Sequence, residues 1–259
     1  VLEAKIFFGE KLVASIGSEF IENNGEDRKR QEKMSAEEIK QDCETKAFTR
    51  LAGRIKKRFP RLPILLLADS LYASKPVMDL CREYKWEFLI RYKKGSIPSI
   101  AEEYEKIPEK GKTEKAEFVN DIDYDGKPVH VLRYREEKAG ETTEFQWLSS
   151  IRITKGNAEK MAETGRKRWK IENEGFNRQK NWQGSITHTC SWDDQAQKNH
   201  YLMAQISDFV KQLYEYYYLE KNGIKKKQKN ISSDLLASFG RQLTKEDIFP
   251  VDENTQSFN

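Results

Sequence analysis

Residues 64–92 read ILLLADSLYASKPVMDLCREYKWEFLIRY. Ile64–Ala68 is a short continuous apolar run, the pattern of a strand buried on both faces. Pro76–Tyr84 (PVMDLCREY) reads as a helix, and Trp86–Tyr92 (WEFLIRY) as a second buried strand. Strand, helix, strand in that order implies a right-handed βαβ unit and so an α/β fold. Asp69 closes the first strand. Carboxylates at strand ends face the crevice where α/β sheets bind ligands. A lone Asp in this position more often caps the following turn.

On the N-terminal side, Val1–Phe8 and Leu12–Glu22 are rich in Val, Ile and Phe and flank Gly9-Glu10-Lys11, the pattern of a β-hairpin. Asn23–Lys40 is polar and charged, a solvated loop or the start of a helix. Phe48, Leu51, Ala52, Ile55 and Phe59 recur at helical spacing, and Pro60 ends that helix. On the C-terminal side, charged residues dominate Lys93–Lys115. Phe118–Tyr124 and Val129–Tyr134 alternate and meet at Asp125-Gly126, a hairpin turn signal. Phe145–Ile153 supplies a further strand. Asn157–Lys180 reads as one long helix. Gln195–Leu219 reads as another, with Leu202, Ile206, Phe209, Val210 and Leu213 on its buried side. Ser232–Phe239 is expected to be a short helix capped by serine, and Lys225–Lys229 a solvated linker. The whole is a mixed sheet flanked by helices and interrupted by a β-rich insert.

Composition bounds the class without naming it. The 259 residues are 34% charged and 37% hydrophobic, enough for a real core under a polar surface. Lys and Arg number 46 against 42 Asp and Glu, a net charge of +4. That small surplus neither requires nor excludes a nucleic-acid partner, because local patches decide. Cys43, Cys81 and Cys190 lie far apart with no C-x-x-C pair, so neither a disulfide framework nor a zinc site is expected, and a reducing cytosol is. No apolar run approaches the length of a membrane span.

Arg166–Lys180, RKRWKIENEGFNRQK, is the second informative stretch. Arg168, Glu172 and Phe176 fall four apart on one helical face. An Arg one turn before a Glu can orient that carboxylate by a charge-assisted hydrogen bond. A surface salt bridge is the commoner account of a single such pair.

The segment R-W-x-I-E, followed by Lys and Arg, resembles the Y-x-x-R-x-x-x-E-x-x-x-x-x-x-K signature of bacterial insertion-sequence transposases of the DDE type. A-D-S-L-Y around Asp69 resembles the second-Asp motif of the same family. The resemblance covers nearly the whole chain and implies an RNase H-like core. Residues 1–94 would be its N-terminal part, 95–155 a β-rich insertion, 156–220 its C-terminal part with the Glu helix, and 221–259 a tail. Asp69 would then be the second catalytic Asp and Glu172 the catalytic Glu, both metal ligands, with Arg168 the signature Arg. Glu174, with Lys170 one turn before it, is a rival to Glu172. Gly165 stands where the family has Tyr, and Gln179 where it has Lys; the adjacent Arg178 and Lys180 are the candidates to reach the same phosphate. The first Asp of the family lies on a strand just upstream of the hairpin, so it is expected before Val1, and the chain by itself is expected to bind DNA without cutting it.

The implied chemistry is DNA strand cleavage and strand transfer. Two Mg²⁺ ions, for which Mn²⁺ could substitute, are held by carboxylates about 3.5–4 Å apart, one activating the attacking hydroxyl and the other stabilising the leaving oxygen. The implied partners are double-stranded DNA, as transposon terminal repeats and as target, and a second copy of the chain in a homodimer on DNA, with no membrane and a bacterial cytoplasmic setting. DNA contacts are expected from Arg91, Lys93 and Lys94 after the second buried strand, and from Arg166, Lys167, Arg178 and Lys180 along the Glu helix. For any one of these a solvated surface charge is the ordinary expectation. Relatives with a β insert can hold a flipped base on an aromatic, which makes Trp147 a candidate, against the plainer role of a core tryptophan. The competing functions are a catalytically inactive or domesticated DNA-binding derivative, and an RNase H-like nuclease that hydrolyses without strand transfer.

Overall fold

A computed structural model describes residues 1–9, 12–21, 36–93, 95–138, 140–180, 186 and 190–239, without the side chains of 36–43, 138, 174–175, 228–229 and 239. Lys94, the side chain of Glu174 and most of the segment 23–40 therefore lie outside the described residues.

The hairpin forms as expected from β1 (Leu2–Phe8) and β2 (Leu12–Glu19). The helix α1 (Ala36–Arg58) follows, and it buries Ala47, Phe48, Leu51, Ala52 and Ile55 along one face. The βαβ unit is β3 (Leu65–Ala68), α2 (Lys75–Glu83) and β4 (Glu87–Arg91), with β3 and β4 parallel and Ala68 opposite Ile90. After the short helix α3 (Pro98–Lys106) come β5 (Gly111–Lys112), β6 (Ala116–Tyr124), β7 (Lys127–Lys138) and β8 (Glu141–Ser149). The β-rich insert is not a separate sheet. Its strands continue the βαβ sheet in the order β3-β4-β8-β7-β6-β5, because β8 pairs antiparallel with β4. The β6–β7 turn is the anticipated Asp125-Gly126, both at positive φ (56° and 73°), which matches the twist of a two-residue hairpin.

Alternation along β4 sends Phe88 and Ile90 to one side of the sheet and Leu89 to the other. On the first side they meet α1, α2 and α3 through Phe48, Met78 and Ile100. On the second side Leu89, Phe118, Leu132 and Trp147 pack on Ile153, Ala158, Met161 and Ala162, the last three from α4 (Ala158–Arg166). The result is the expected α/β arrangement, a mixed sheet with helices on both faces.

The expectation that Ile64–Ala68 is buried on both faces needs correction. All four residues of β3 are only half-buried, because β3 is an edge strand of the sheet whereas β4 is internal and its Phe88, Leu89 and Ile90 are at most 1% exposed.

The chain divides into two compact units, Val1–Phe7 with Val13–Asn177, and Phe8–Leu12 with Arg178–Asn259. The second contains α5 (Asp194–Leu213), a π-helical stretch Tyr214–Glu220 and α6 (Gln228–Phe239). Here two expectations fail. Leu202, Ile206 and Val210, anticipated on the buried side of α5, are 40%, 57% and 54% exposed, while Gln205, Asp208, Lys211 and Gln212 are buried. Specific polar partners select the inward face. Gln205 exchanges two hydrogen bonds with Gln179 (2.8 and 2.9 Å), Asp208 lies 3.6 Å from Arg178, and Lys211 donates to Ser232 (2.8 Å). Ser232 is likewise not a helix cap. Helix α6 begins at Gln228, so Ser232 lies inside it and accepts that hydrogen bond instead.

Candidate active site

Asp69 leaves the C-terminal end of β3, half-buried, and opens a single 3₁₀ turn over Ser70–Tyr72. Its Oδ1 accepts the Leu71 N–H at 2.9 Å, so the capping role expected of a lone Asp is filled. Among the described residues its second oxygen has no hydrogen-bond partner. Tyr72 stands against this carboxylate: burial, then the charges of Glu44 and Asp69, push its phenol well above the ordinary tyrosine range.

Ala68 pairs with Ile90, so Asp69 and Arg91 are the next residues out of the two parallel strands. Arg91 is half-buried. It donates to the carbonyls of Gln146 and Glu144 (3.2 and 3.3 Å) and lies over the rings of Phe145 (4.8 Å) and Trp147 (5.4 Å). Burial and then the positive charge of Arg168 hold its pKa below the ordinary guanidinium value, with Glu144 opposing. Arg91 and Arg168 therefore share one electrostatic neighbourhood.

Arg168 in turn donates to Glu172 at 2.8 Å, the i,i+4 contact anticipated from their spacing. The helix carrying them is not the uniform one expected over Asn157–Lys180. After α4 the chain turns at Lys167 and Arg168 and continues as a π-helix over Ile171–Phe176, in which the Asn177 N–H reaches back five residues to the Glu172 carbonyl. Each π turn takes up an extra residue and re-aims the side chains after it, and such turns recur at functional sites. Glu172, with its side chain 50% exposed, stands in the first turn of this segment.

The other candidates fall into three groups. Lys93 and Lys180 are exposed. Arg166 is paired with Glu136 (2.6 Å) and lies 5.1 Å over Phe145, and Lys167 is half-buried. Arg178 is committed to Glu215 (3.2 Å) and Asp208 within the second unit, so it is spoken for by protein carboxylates. Trp147 is corrected from a base-holding aromatic to a core residue. It is 2% exposed, packed among Leu89, Leu132, Ile153 and Met161, and a ring so enclosed presents no face to a base. Phe145, which sequence reasoning did not single out, is the half-buried aromatic of this strand, stacked on Trp147 with centroids 5.9 Å apart. The signal was available in the two-residue period that puts 145 and 147 on one face of β8.

Gly165 and Gln179, the two positions expected to depart from the family signature, each sit in a confined local setting. A Cβ at Gly165 would lie 2.5 Å from Trp147 Nε1 and 2.6 Å from its Cε2, so any larger residue collides with the buried indole. Gln179 is 1% exposed and paired twice with Gln205, a place for an amide and not for a solvated ammonium.

Asp69 and Glu172 offer hard oxygen donors of the kind a divalent cation takes, and one oxygen of Asp69 is unengaged. Among the described residues no three His, Cys, Asp or Glu gather as a metal cluster, and no helix is long and apolar enough to cross a membrane. The sequence profile of a family described as transposase DDE domain matches residues 41–205, well over half of the chain. No curated protein matches it.

Proposed function

We propose, from the premise that this chain belongs to the transposase DDE domain family and is a DNA transposase, that Asp69 and Glu172 are its metal-binding carboxylates and Arg168 the residue that orients Glu172. The family works with divalent metal ions; Mg²⁺, with Mn²⁺ as a substitute, is the assignment that fits two carboxylates and no Cys or His. Bound there, the ions would supply activation of the attacking hydroxyl and stabilisation of the leaving oxygen during strand cleavage and strand transfer.

What supports this reading is the register of β3 with β4 together with the Arg168–Glu172 contact. Asp69 and Arg91 leave adjacent parallel strands together, Arg91 feels the charge of Arg168, and Arg168 holds Glu172. Each acid thus has an arginine near it, Arg91 at the end of the strand next to Asp69 and Arg168 bonded to Glu172. The protein's own share is positional. The Leu71 N–H fixes one oxygen of Asp69 and leaves the other for a ligand, while Arg168 restrains a Glu172 side chain that would otherwise sample several rotamers. The substrate in this reading is double-stranded DNA, as terminal repeats and as target, gripped through phosphates by Arg91, Lys93, Arg166, Lys167 and Lys180, and worked on by a homodimer.

Asp69→Asn is the informative substitution, because Asn caps a turn as well as Asp does while lacking the charge. In a protein that also carries the first Asp of the family, Asp69→Asn and Glu172→Gln should each lower Mg²⁺-dependent nicking of a terminal-repeat duplex by at least about a hundredfold, beyond what loss of outer-shell support costs, with thermal stability unchanged. Undiminished nicking in both would end the assignment. One observation favours a second reading, a DNA-binding derivative without catalysis: the lack of a three-acid cluster among the described residues. Under it the unaltered protein binds the duplex and nicks nothing.

A further inference from the structure

Phe145 is the point on which two cations converge. The Arg91 guanidinium lies 4.8 Å and that of Arg166 5.1 Å from its ring centre, which puts the two within 10 Å of each other. The ring is itself held rigid by its stack on the enclosed Trp147. Like charges brought onto one ring need a reason, since each repels the other and Arg168 adds to the field. They are also unequally neutralised. Arg166 has a carboxylate, Glu136 at 2.6 Å. Arg91 donates to the main-chain carbonyls of Gln146 and Glu144; the Glu144 carboxylate acts on it at longer range, and among the described residues no carboxylate lies within ion-pair distance of it. A half-buried guanidinium tied to carbonyls on one edge keeps its remaining N–H groups directed and its charge unspent, which is how a planar fork recognises phosphate.

We propose that Arg91 and Arg166, both held against the Phe145 ring, form a phosphodiester-binding site that grips the DNA backbone, and that Glu136 occupies Arg166 until that backbone displaces it. This deepens the transposase reading and rests on it. Phe145 is a positioning residue: it touches no substrate and acts by fixing two guanidinium groups, through cation–π contacts that strengthen in a partly dry setting. Glu136 makes the site self-neutralising. Without DNA its carboxylate screens Arg166, and on binding a phosphate oxygen takes its place, so the exchange weakens binding relative to a site lacking the acid. The outcome is a grip that is sequence-independent, because phosphates carry no base identity, and strongly dependent on salt.

The test measures binding of the full chain to a fluorescent 20-base-pair duplex by anisotropy, across a salt series and without divalent metal. Arg91→Gln should weaken binding roughly three- to tenfold near 0.1 M salt and make the log–log salt slope shallower by about one. Phe145→Leu keeps bulk and apolar character but removes the π face, and should weaken binding with the slope nearly unchanged, since both charges remain. Glu136→Gln should tighten binding roughly threefold or more, a gain that misfolding does not produce. Lys106→Gln, at an exposed lysine paired with Glu103 on α3, is the control and should leave the affinity where it was. If the unaltered chain binds the duplex but Arg91→Gln and Glu136→Gln bind as it does, the site is wrong and the transposase reading stands. If the unaltered chain binds no duplex at all, the DNA-binding reading itself falls.

Discussion

Replacing Gly165 by alanine puts the packing beneath the candidate site to a quantitative trial. Gly165 lies in the last turn of α4, one residue before Arg166 and three before Arg168, and it is buried. Two effects oppose each other. Alanine is the better helix former by about 0.8–1 kcal/mol, so at an unobstructed position the substitution would stabilise. Here the new methyl would meet Trp147 at 2.5, 2.6 and 3.1 Å, the first two shorter than contacts real Cβ atoms make. The indole cannot swing away, because it is 2% exposed and stacked on Phe145. Relief requires moving either the ring or the helix, and overpacking of a filled core costs about 1–3 kcal/mol, sometimes more. The clash outweighs propensity, leaving a net loss of up to about 2 kcal/mol and a fall in Tm of up to about 8 °C for a domain this size. Thermal unfolding followed by near-ultraviolet circular dichroism reads both the Tm and the tryptophan environment. The double variant Gly165→Ala/Trp147→Leu should regain part of the loss relative to the sum of the singles, a coupling of about 1–2 kcal/mol. A higher Tm for Gly165→Ala, or strict additivity with Trp147→Leu, would refute the reasoning, since either means that the indole does not press on this turn.

Three further substitutions follow from the same geometry. Arg168→Ala removes a partly exposed i,i+4 pair worth about 0.3–0.5 kcal/mol, so in a protein that also carries the first Asp of the family it should lower nicking far more than it lowers Tm; equal losses would return the pair to an ordinary surface salt bridge. Gln179→Lys buries an ammonium at a site 1% exposed and breaks two hydrogen bonds to Gln205, costing at least about 2 kcal/mol in urea unfolding; unchanged stability would show that position 179 reaches water. His130 is buried, its Nδ1 accepts the Asp121 N–H at 3.1 Å, and burial foremost, with Arg152, lowers its pKa from the ordinary 6.5 against the pull of Asp121. Its unfolded form therefore takes up protons first, so its stabilisation is present above about 6.5 and drains away as the pH falls below it. The fall in Tm from pH 7.5 to 5.5 should be smaller in His130→Asn than in the unaltered protein, and an equal fall would sink the assignment.

Where local chemistry and long-range packing agree, the reading from residues to structure is short. The hairpin turn at Asp125-Gly126 is encoded in two adjacent residues that tolerate positive φ, and the parallel pairing of β3 with β4 follows from two apolar runs separated by one helix. The Arg168–Glu172 contact is a consequence of helical spacing alone. Where the outcome depends on a remote partner, the same reading misleads. The apolar residues of α5 mark an inward face by pattern, yet Gln179, Arg178 and Ser232, each at least 21 residues distant in sequence from its partner, turn the polar face inward instead.

The one-dimensional pattern determined the class of fold, the positions of Asp69 and Glu172 at an element's end and on a helix, and the membership that the family match bears out, because strand hydrophobicity, turn residues and i,i+4 spacing act over a few residues at a time. Tertiary structure alone decided that β3 lies at the end of the strand order, that Gly165 lies against Trp147 and Gln179 against Gln205, and that Arg91 and Arg166 both lie over Phe145. Those outcomes turn on van der Waals exclusion and electrostatics between groups dozens of residues apart, distances along the chain that only the closing of the fold converts into ångströms.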